Sequence, residues 1–276
     1  MERNGRQIAV LLATYNGAKF LTAQLESLFS QTCSDFCVYI RDDGSSDDTL
    51  NIVEGYRQKY PDQVVVVEDG EKHIGAAKSF MRLLQSVESG YYMFCDQDDV
   101  WFETKIEKTL ARMREVEMLA GEGTPVVVST DLRVVDESLK VLRESFNADL
   151  KIDVFRKHPQ MICVRHVVTG CAMMFNDRAK RVSLPMSPLA SMHDEWIALN
   201  THFNGGKISM MDDATMDYRQ HGSNTLGADM ASKGFWERFT AKRGRAEFRQ
   251  TAKLLHDVFG VSYFRFLFYK FFYSWL

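Results

Sequence analysis

The first 135 residues switch repeatedly between two hydrophobic periods, and that switching limits the folds open to the chain. "QIAVLLATYN" contains an apolar run of strand length, and "GAKFLTAQLESLFSQT" then sets Phe20, Leu21, Leu25, Leu28 and Phe29 at helical spacing. "DFCVYIRDDGSSDDT" predicts a second strand ending in a Gly/Ser/Asp turn, with Asp47 or Asp48 placed to cap a helix from about Thr49. "QVVVVEDG" predicts a third strand, "GAAKSFMRLLQSV" a helix and "YYMFCD" a fourth strand. A helix over about Glu103 to Leu119 and a strand in "PVVVSTDLRVV" follow. Strands that are apolar nearly throughout, alternating with helices, predict an α/β fold with a mostly parallel central sheet flanked by helices on both faces.

Ligands of such sheets bind beyond the carboxyl ends of the strands. Polar clusters stand at three of those ends: Thr14-Tyr15-Asn16, Asp42 to Ser46, and Asp96 to Asp99. The last of these runs a buried-looking segment, "YYMFCDQDDVW", straight into three carboxylates. Carboxylates that close raise one another's pKa, so a positive partner is expected there. Asp98 and Asp99 offer hard oxygen donors suited to Mg²⁺ or Mn²⁺. An ion with few protein ligands fills its sphere from water and phosphate, which makes a diphosphate the natural partner. The chain has no GxxxxGK[ST] loop and no strand-linked GxGxxG, which argues against an ATPase or a dehydrogenase.

After about residue 145 the alternation weakens. "HPQMICVRHVVTGCAMMFN" is mixed, and "KISMMDDATMDYRQHGSNTLG" predicts two short strands and a polar loop. The chain has 276 residues, enough for one large domain or a domain with an appendage. Ile8 to Ala13 is too short for a signal-peptide core, and no run of about 20 apolar residues suggests a membrane span. The five cysteines lack zinc-type spacing and fit a reducing cytosol, with Cys33 and Cys37 as small core or surface residues.

Taken in order, "VLLATYNGAKFLTAQLESLFSQT", "DDGSSDDT" and "FCDQDDVW" resemble the nucleotide-binding half of family-2 glycosyltransferases of the GT-A fold. "HDEW" and "YRQHGSNT" resemble the acceptor half of bacterial rhamnosyltransferase-like members, so the likeness covers roughly residues 7–226. The resemblance implies a Rossmann-like GT-A sheet, with residues 1–135 binding the nucleotide-sugar and 136–232 the acceptor. It puts Ala13, Tyr15 and Asp43 around the base and ribose: Ala13 through its backbone, Tyr15 stacked on a pyrimidine, Asp43 accepting from the ring N–H. Asp98 and Asp99 become the metal-binding acidic pair, with Asp99 the direct ligand, Asp98 on the ribose or a metal-bound water, and Asp96 structural. Asp194 falls at the general-base position, where His193 replaces the usual preceding glutamate and Glu195 is the neighbouring alternative. Trp196 reads equally as core or as an acceptor platform. His221 would be a third metal ligand or a diphosphate contact, and Arg219 a diphosphate contact. Gly170 would allow close approach of a sugar, and His73 and Lys78 are further donor contacts.

The implied activity is inverting, Mg²⁺- or Mn²⁺-dependent transfer of a hexosyl or deoxyhexosyl group. It would run from a dTDP- or UDP-sugar to a glycan or lipid-linked acceptor, in bacterial surface polysaccharide synthesis. A sugar nucleotidyltransferase would need a basic Gly-rich loop, and "ATYNGAKF" carries only Gly17 and Lys19. A non-catalytic nucleotide-sugar binder is opposed by intact Asp98, Asp99 and Asp194.

The net charge of −3 conceals an asymmetry, because Lys233 to Leu276 holds nine Lys/Arg against three Asp/Glu. "FGVSYFRFLFYKFFYSWL" adds ten of the chain's 33 aromatics. An acidic body with a basic aromatic tail, residues 233–276, predicts two surfaces with different partners. A helix of this kind suits a headgroup interface better than a span. The alternative is that the tail packs on the body or on a second copy. The protein is expected in the cytoplasm, peripheral on the inner membrane face through this tail, and without a nucleic-acid partner.

Overall fold

The computed structural model describes residues 7–150, 152–222 and 242–275. Among the described residues, nine strands form one sheet in the order β3-β2-β1-β4-β8-β6-β9-β5, with β7 paired to β6. They are β1 (Ile8–Thr14), β2 (Phe36–Asp42), β3 (Val64–Val66), β4 (Tyr91–Cys95), β5 (Val100–Trp101), β6 (Val126–Val135), β7 (Val141–Arg143), β8 (Met173–Asn176) and β9 (Lys207–Arg219). The first four in the spatial order run parallel. β8 enters antiparallel between β4 and β6, and β9 runs parallel to β6.

β1 explains why both sheet faces are covered. Ala9 and Leu11 point into one core with Phe80, Phe94 and Trp196. Ile8, Val10 and Leu12 point into the other with Leu21, Leu25 and Ile106. Successive side chains of a strand leave on opposite faces, so a strand apolar at every position needs a layer on each side. The second layer is α1 (Ala18–Phe29), α2 (Thr49–Lys59) and α4 (Lys105–Ala120). The first is α3 (Ala76–Ser86), α6 (Ile152–Lys157), α7 (Asp177–Val182) and α8 (His193–Phe203), with the short α5 (Asn147–Leu150) preceding α6. α7 starts where it does because Asn176 accepts the Ala179 N–H at 3.0 Å, a side-chain N-cap.

Two helices follow residue 241: α9 (Lys242–Phe259) and α10 (Tyr263–Trp275). Leu255 of α9 and Phe266 and Tyr273 of α10 join the same core as Trp196. Burying a Leu or Phe side chain contributes about 1.5–3 kcal/mol, so these anchors fix both helices to the body.

One sequence expectation is corrected. The stretch expected to form two short strands is a single 13-residue strand, β9. Its register against β6 shifts between Ser129 and Arg133, and the exposed Asp212 and Asp213 fall at that irregularity. A bulge takes up polar residues that a regular strand would have to end on.

Candidate active site

The carboxyl ends of β1 and β2 build one side of a cleft. Ala13 is half-buried and pairs in register with Arg41. Tyr15 just beyond β1 is 48 % exposed, and its ring stands perpendicular to that of His73 with centroids 5.6 Å apart. Asp43 is buried: its Oδ1 accepts from Arg41 at 2.8 Å and from the Ile74 N–H at 3.0 Å, and its Oδ2 from the Gly75 N–H at 2.8 Å. Burial would raise this carboxyl, but the Arg41 bond and the two amides outweigh it and hold it below the usual range. Asp43 thus pins the loop carrying His73 over Gly44. Gly44 has φ +94°, and a Cβ there would lie 3.1 Å from the His73 ring. Lys78 is exposed in the first turn of α3.

The turn after β4 makes the floor. Gln97 crosses to β1, accepting the Tyr15 N–H at 2.9 Å and donating to the Tyr15 carbonyl at 3.0 Å. Asp98 keeps 14 % of its side chain open, and its Oδ2 lies 2.8 Å from Nε2 of His221. The His221 ring rests on Phe20, with centroids 4.8 Å apart. Asp99 is fully buried; Oδ1 takes the Arg219 N–H at 3.0 Å, and Oδ2 has no hydrogen-bond partner among the described residues. Donor atoms of Asp96, Asp99 and Cys171 lie within 4.8 Å of one another. Burial, then Asp98, pushes the Asp96 carboxyl up to about 7, and burial followed by Asp98 and Asp96 raises Asp99 well above the usual range.

Arg219 is 4 % exposed. Its Nε donates to the Asp98 carbonyl at 2.7 Å and its Nη1 to the Glu137 carbonyl at 2.6 Å, with the guanidinium over Phe20 at 4.7 Å. It holds the acidic turn from within. Lys105, also buried, lies beneath this turn, donating to Thr215 at 3.3 Å with its ammonium 4.8 Å over Trp101. Burial brings it down to about 8 against the pull of Cys171 and Asp99.

Asp194 comes from the far side of the sheet. It stands in the first turn of α8, whose N-cap position is Met192, so Asp194 is not the cap. Its Oδ1 accepts the Glu195 N–H at 2.8 Å, its Oδ2 the Gly170 N–H at 2.9 Å, and Nε2 of His166 lies 3.1 Å from Oδ2. Burial alone would raise this carboxyl; the His166 charge and hydrogen bond bring it well below the usual carboxylate range. The same pairing, against the desolvating effect of the surrounding protein, lifts His166, whose side chain is still 36 % exposed, to about 9. Asp194 is therefore ionised and His166 cationic at neutral pH. Glu195 turns away, with Ser191 as its partner at 3.3 Å, and burial raises its carboxyl. His193 is packed between Phe80 at 4.4 Å and Phe94 at 4.5 Å, and burial keeps it neutral with a pKa of about 4. Trp196 is 4 % exposed and donates to the Ser183 carbonyl at 2.6 Å, which makes it core rather than platform.

The two acidic groups meet through Asp96, which feels the charge of both Asp98 and Asp194. Of the sequence candidates, Asp98, His221, Asp96 and Asp194 converge, as do Tyr15 and His73. Asp99 and Arg219 lie inside the protein. The sequence assigns no role to Gln97, Lys105 or His166. Gln97 stands within the acidic motif, whereas nothing local marks His166 or Lys105.

Two donor sets are candidates for a divalent ion. Asp96, Asp99 and Cys171 include a thiol that burial raises well above its usual pKa, and a protonated thiol is a poor ligand for a hard cation. Asp98 with His221 offers a partly open carboxylate and an imidazole, leaving the rest of the sphere to water and phosphate. The second set fits.

The dTDP-rhamnosyl transferase RfbG of Shigella flexneri is 26% identical over 249 residues, covering 88% of this chain and 83% of its own length. The structure of S. aureus TarS 1–349 in complex with UDP-GlcNAc superposes with TM-score 0.61 at 19% identity, covering 93% of this chain and 73% of that one. The mannosyltransferase PcManGT from Pyrobaculum calidifontis, in complex with GDP-Man and Mn²⁺, gives TM-score 0.62 at 16% identity, covering 91% and 64%. These likenesses show the fold, which is GT-A. The model of glycosyl transferase family 2 matches residues 9–181, from β1 through most of α7, and the chain belongs to that family of glycosyltransferases.

Proposed function

We propose that this enzyme moves a hexosyl or deoxyhexosyl group from a dTDP- or UDP-linked donor to a hydroxyl of a glycan or lipid-linked acceptor. We place the reaction in bacterial surface polysaccharide synthesis and assign it inversion at the anomeric carbon. The name of RfbG as a dTDP-rhamnosyl transferase supports the donor class. The observation that carries the reading is Asp194, an ionised carboxylate held by His166 and Gly170 and within electrostatic reach of Asp96, beside the Asp98–His221 pair. One base and one diphosphate-binding end are what an inverting transfer needs.

In this reading residues 1–135 hold the donor and 136–232 the acceptor. Tyr15 lies across the base with His73 at its edge, and Asp43 fixes the loop that brings His73 there. Asp98 and His221 would hold Mg²⁺ or Mn²⁺, with Asp99 as interior support rather than the direct ligand. Bound there, the ion acts as a Lewis acid toward the departing diphosphate. The acceptor hydroxyl oxygen forms the new bond to the anomeric carbon while the bond to the diphosphate oxygen breaks, its electron pair leaving with the diphosphate. Asp194 takes the hydroxyl proton. Its depressed pKa makes it a weak base toward a free alcohol, so the proton moves as the new bond forms and acidifies the hydroxyl. His166 keeps the carboxylate charged and aimed.

The test is Asp194→Asn, assayed with a donor panel in the presence of Mn²⁺. Donor-induced thermal stabilisation should match the parent's, while transfer falls by about 10²–10⁴-fold. Transfer at the parental rate would show that Asp194 is not the base.

A further inference from the structure

α10 divides its circumference between the protein and solvent. Phe266 and Tyr273 are buried against the body at 2 % and 5 % exposure. On the other side Phe264 is 88 % exposed, Phe271 67 %, Phe268 62 % and Leu267 52 %. At 3.6 residues per turn Phe264 and Phe271 lie one above the other, opposite the midpoint between Phe266 and Tyr273. Arg265 and Lys270 fall at the two borders between the buried and exposed arcs. An apolar arc bordered by an exposed basic side chain, here Arg265, suits entry into the acyl boundary with the cation at the headgroups, while Lys270 on the other border turns inward.

The surface continues onto α9. His256 stacks on Tyr263 with centroids 4.7 Å apart, and Arg249, Lys253 and His256 are exposed along one side of α9. Asp257, which accepts from His256 at 2.9 Å, and Glu247 are the acidic residues of that helix. Residues 242–275 carry seven Lys/Arg against these two. That charge favours an anionic bilayer over a second copy, which would bring two basic rows together. No helix among the described residues is long and apolar enough to cross a membrane. At about 1.5 Å per residue α10 spans about 20 Å, less than the hydrocarbon thickness, so it would lie in the interface plane.

We infer that the exposed face of α10, with the basic row of α9, docks the protein on an anionic lipid bilayer. The docked helix is tied to the acceptor side of the cleft. Lys270 donates to the Val164 carbonyl at 3.4 Å and Arg165 to the Tyr273 carbonyl at 3.3 Å, while the next residue, His166, holds Asp194. A bilayer on this face therefore stands beside the acceptor half. The inference concerns a surface and is read without turnover, so its failure leaves the transfer reading standing.

The test is sedimentation of the full chain with vesicles of phosphatidylglycerol and phosphatidylethanolamine, beside vesicles of phosphatidylcholine alone. The parent should pellet with the anionic vesicles and be released by salt. Phe264→Ser/Phe268→Ser/Phe271→Ser, all at exposed positions, should keep the parental melting temperature and lose about tenfold or more in partitioning. A parent that stays in the supernatant, or a triple variant that pellets like the parent, overturns the inference. So does light scattering that finds a parental dimer made monomeric by the triple substitution without vesicle binding, which would assign the face to a second copy.

Discussion

Asp194 and His166 form a charge pair whose two members depend on pH in opposite senses. An unfolded histidine titrates near 6.5, while His166 in the fold sits at about 9. The group is raised, so its contribution to stability is complete below about pH 6.5 and gone once pH passes about 9. Asp194 is lowered, so its contribution is complete above about pH 4 and is lost as pH falls below that. His166→Gln should therefore lower the melting temperature most at pH 5–6, with parent and variant converging towards pH 10. A difference that stays constant over that range would mean His166 is not a charged partner of Asp194. Arg41 makes a similar case within β2. It is 1 % exposed and ion-paired with Asp43 and Asp69, and Arg41→Met would leave buried acid without its partner, costing about 3–5 kcal/mol in denaturant unfolding.

At the level of elements, the site depends on where strands end and how closely their turns approach. Gly170 lies so near α8 that an added Cβ would sit 3.0 Å from Nε2 of His193 and 3.3 Å from Oδ2 of Asp194. Gly170→Ala should cost about 1–3 kcal/mol by overpacking and reduce transfer more than donor binding, since the displaced atoms belong to His193 and to Asp194, the proposed base. Equal loss of kcat and donor affinity would contradict this. The strand ends themselves were legible in the sequence, because a strand buried on both faces is apolar throughout and its polar continuation marks where it emerges. The division of labour among the acids was not. Asp98 and Asp99 differ by one position in the turn between β4 and β5, and the bend there sends one side chain to the cleft and the next to the interior. His166 was illegible for another reason: its contact with Asp194 spans 28 residues across β8 and α7, and His166 itself lies in an irregular stretch with no period to read. β9 was misread because two exposed aspartates inside a strand look like a turn until a bulge is known to hold them.

At the level of the whole molecule, the sheet separates two cores, and the C-terminal helices contribute to one of them. Phe266 of α10 packs on Phe248 of α9 at 5.0 Å, whereas Phe264 two residues away faces solvent. Phe266→Ala should destabilise the protein by about 3–5 kcal/mol and Phe264→Ala by less than about 0.5 kcal/mol, read by chemical denaturation. Similar losses at both would mean that α10 is not seated as described. The sequence offered docking on the body and an outward aromatic surface as competing accounts of the tail; the helix does the first with one face and leaves the other open.

The seating of α9 and α10 against the core of α8 has a consequence for biosynthesis. α8 leaves the ribosome well before Leu255, Phe266 and Tyr273 exist to cover the core it shares with them. Until they arrive, the nascent chain carries α8 over an incomplete hydrophobic layer. The core on the opposite sheet face, under α1, α2 and α4, draws only on residues that have all emerged by then. Pulse-labelled nascent chains stalled before residue 242 should thus resist protease over α1, α2 and α4 and be cut around α8, while chains extended past α10 should resist throughout.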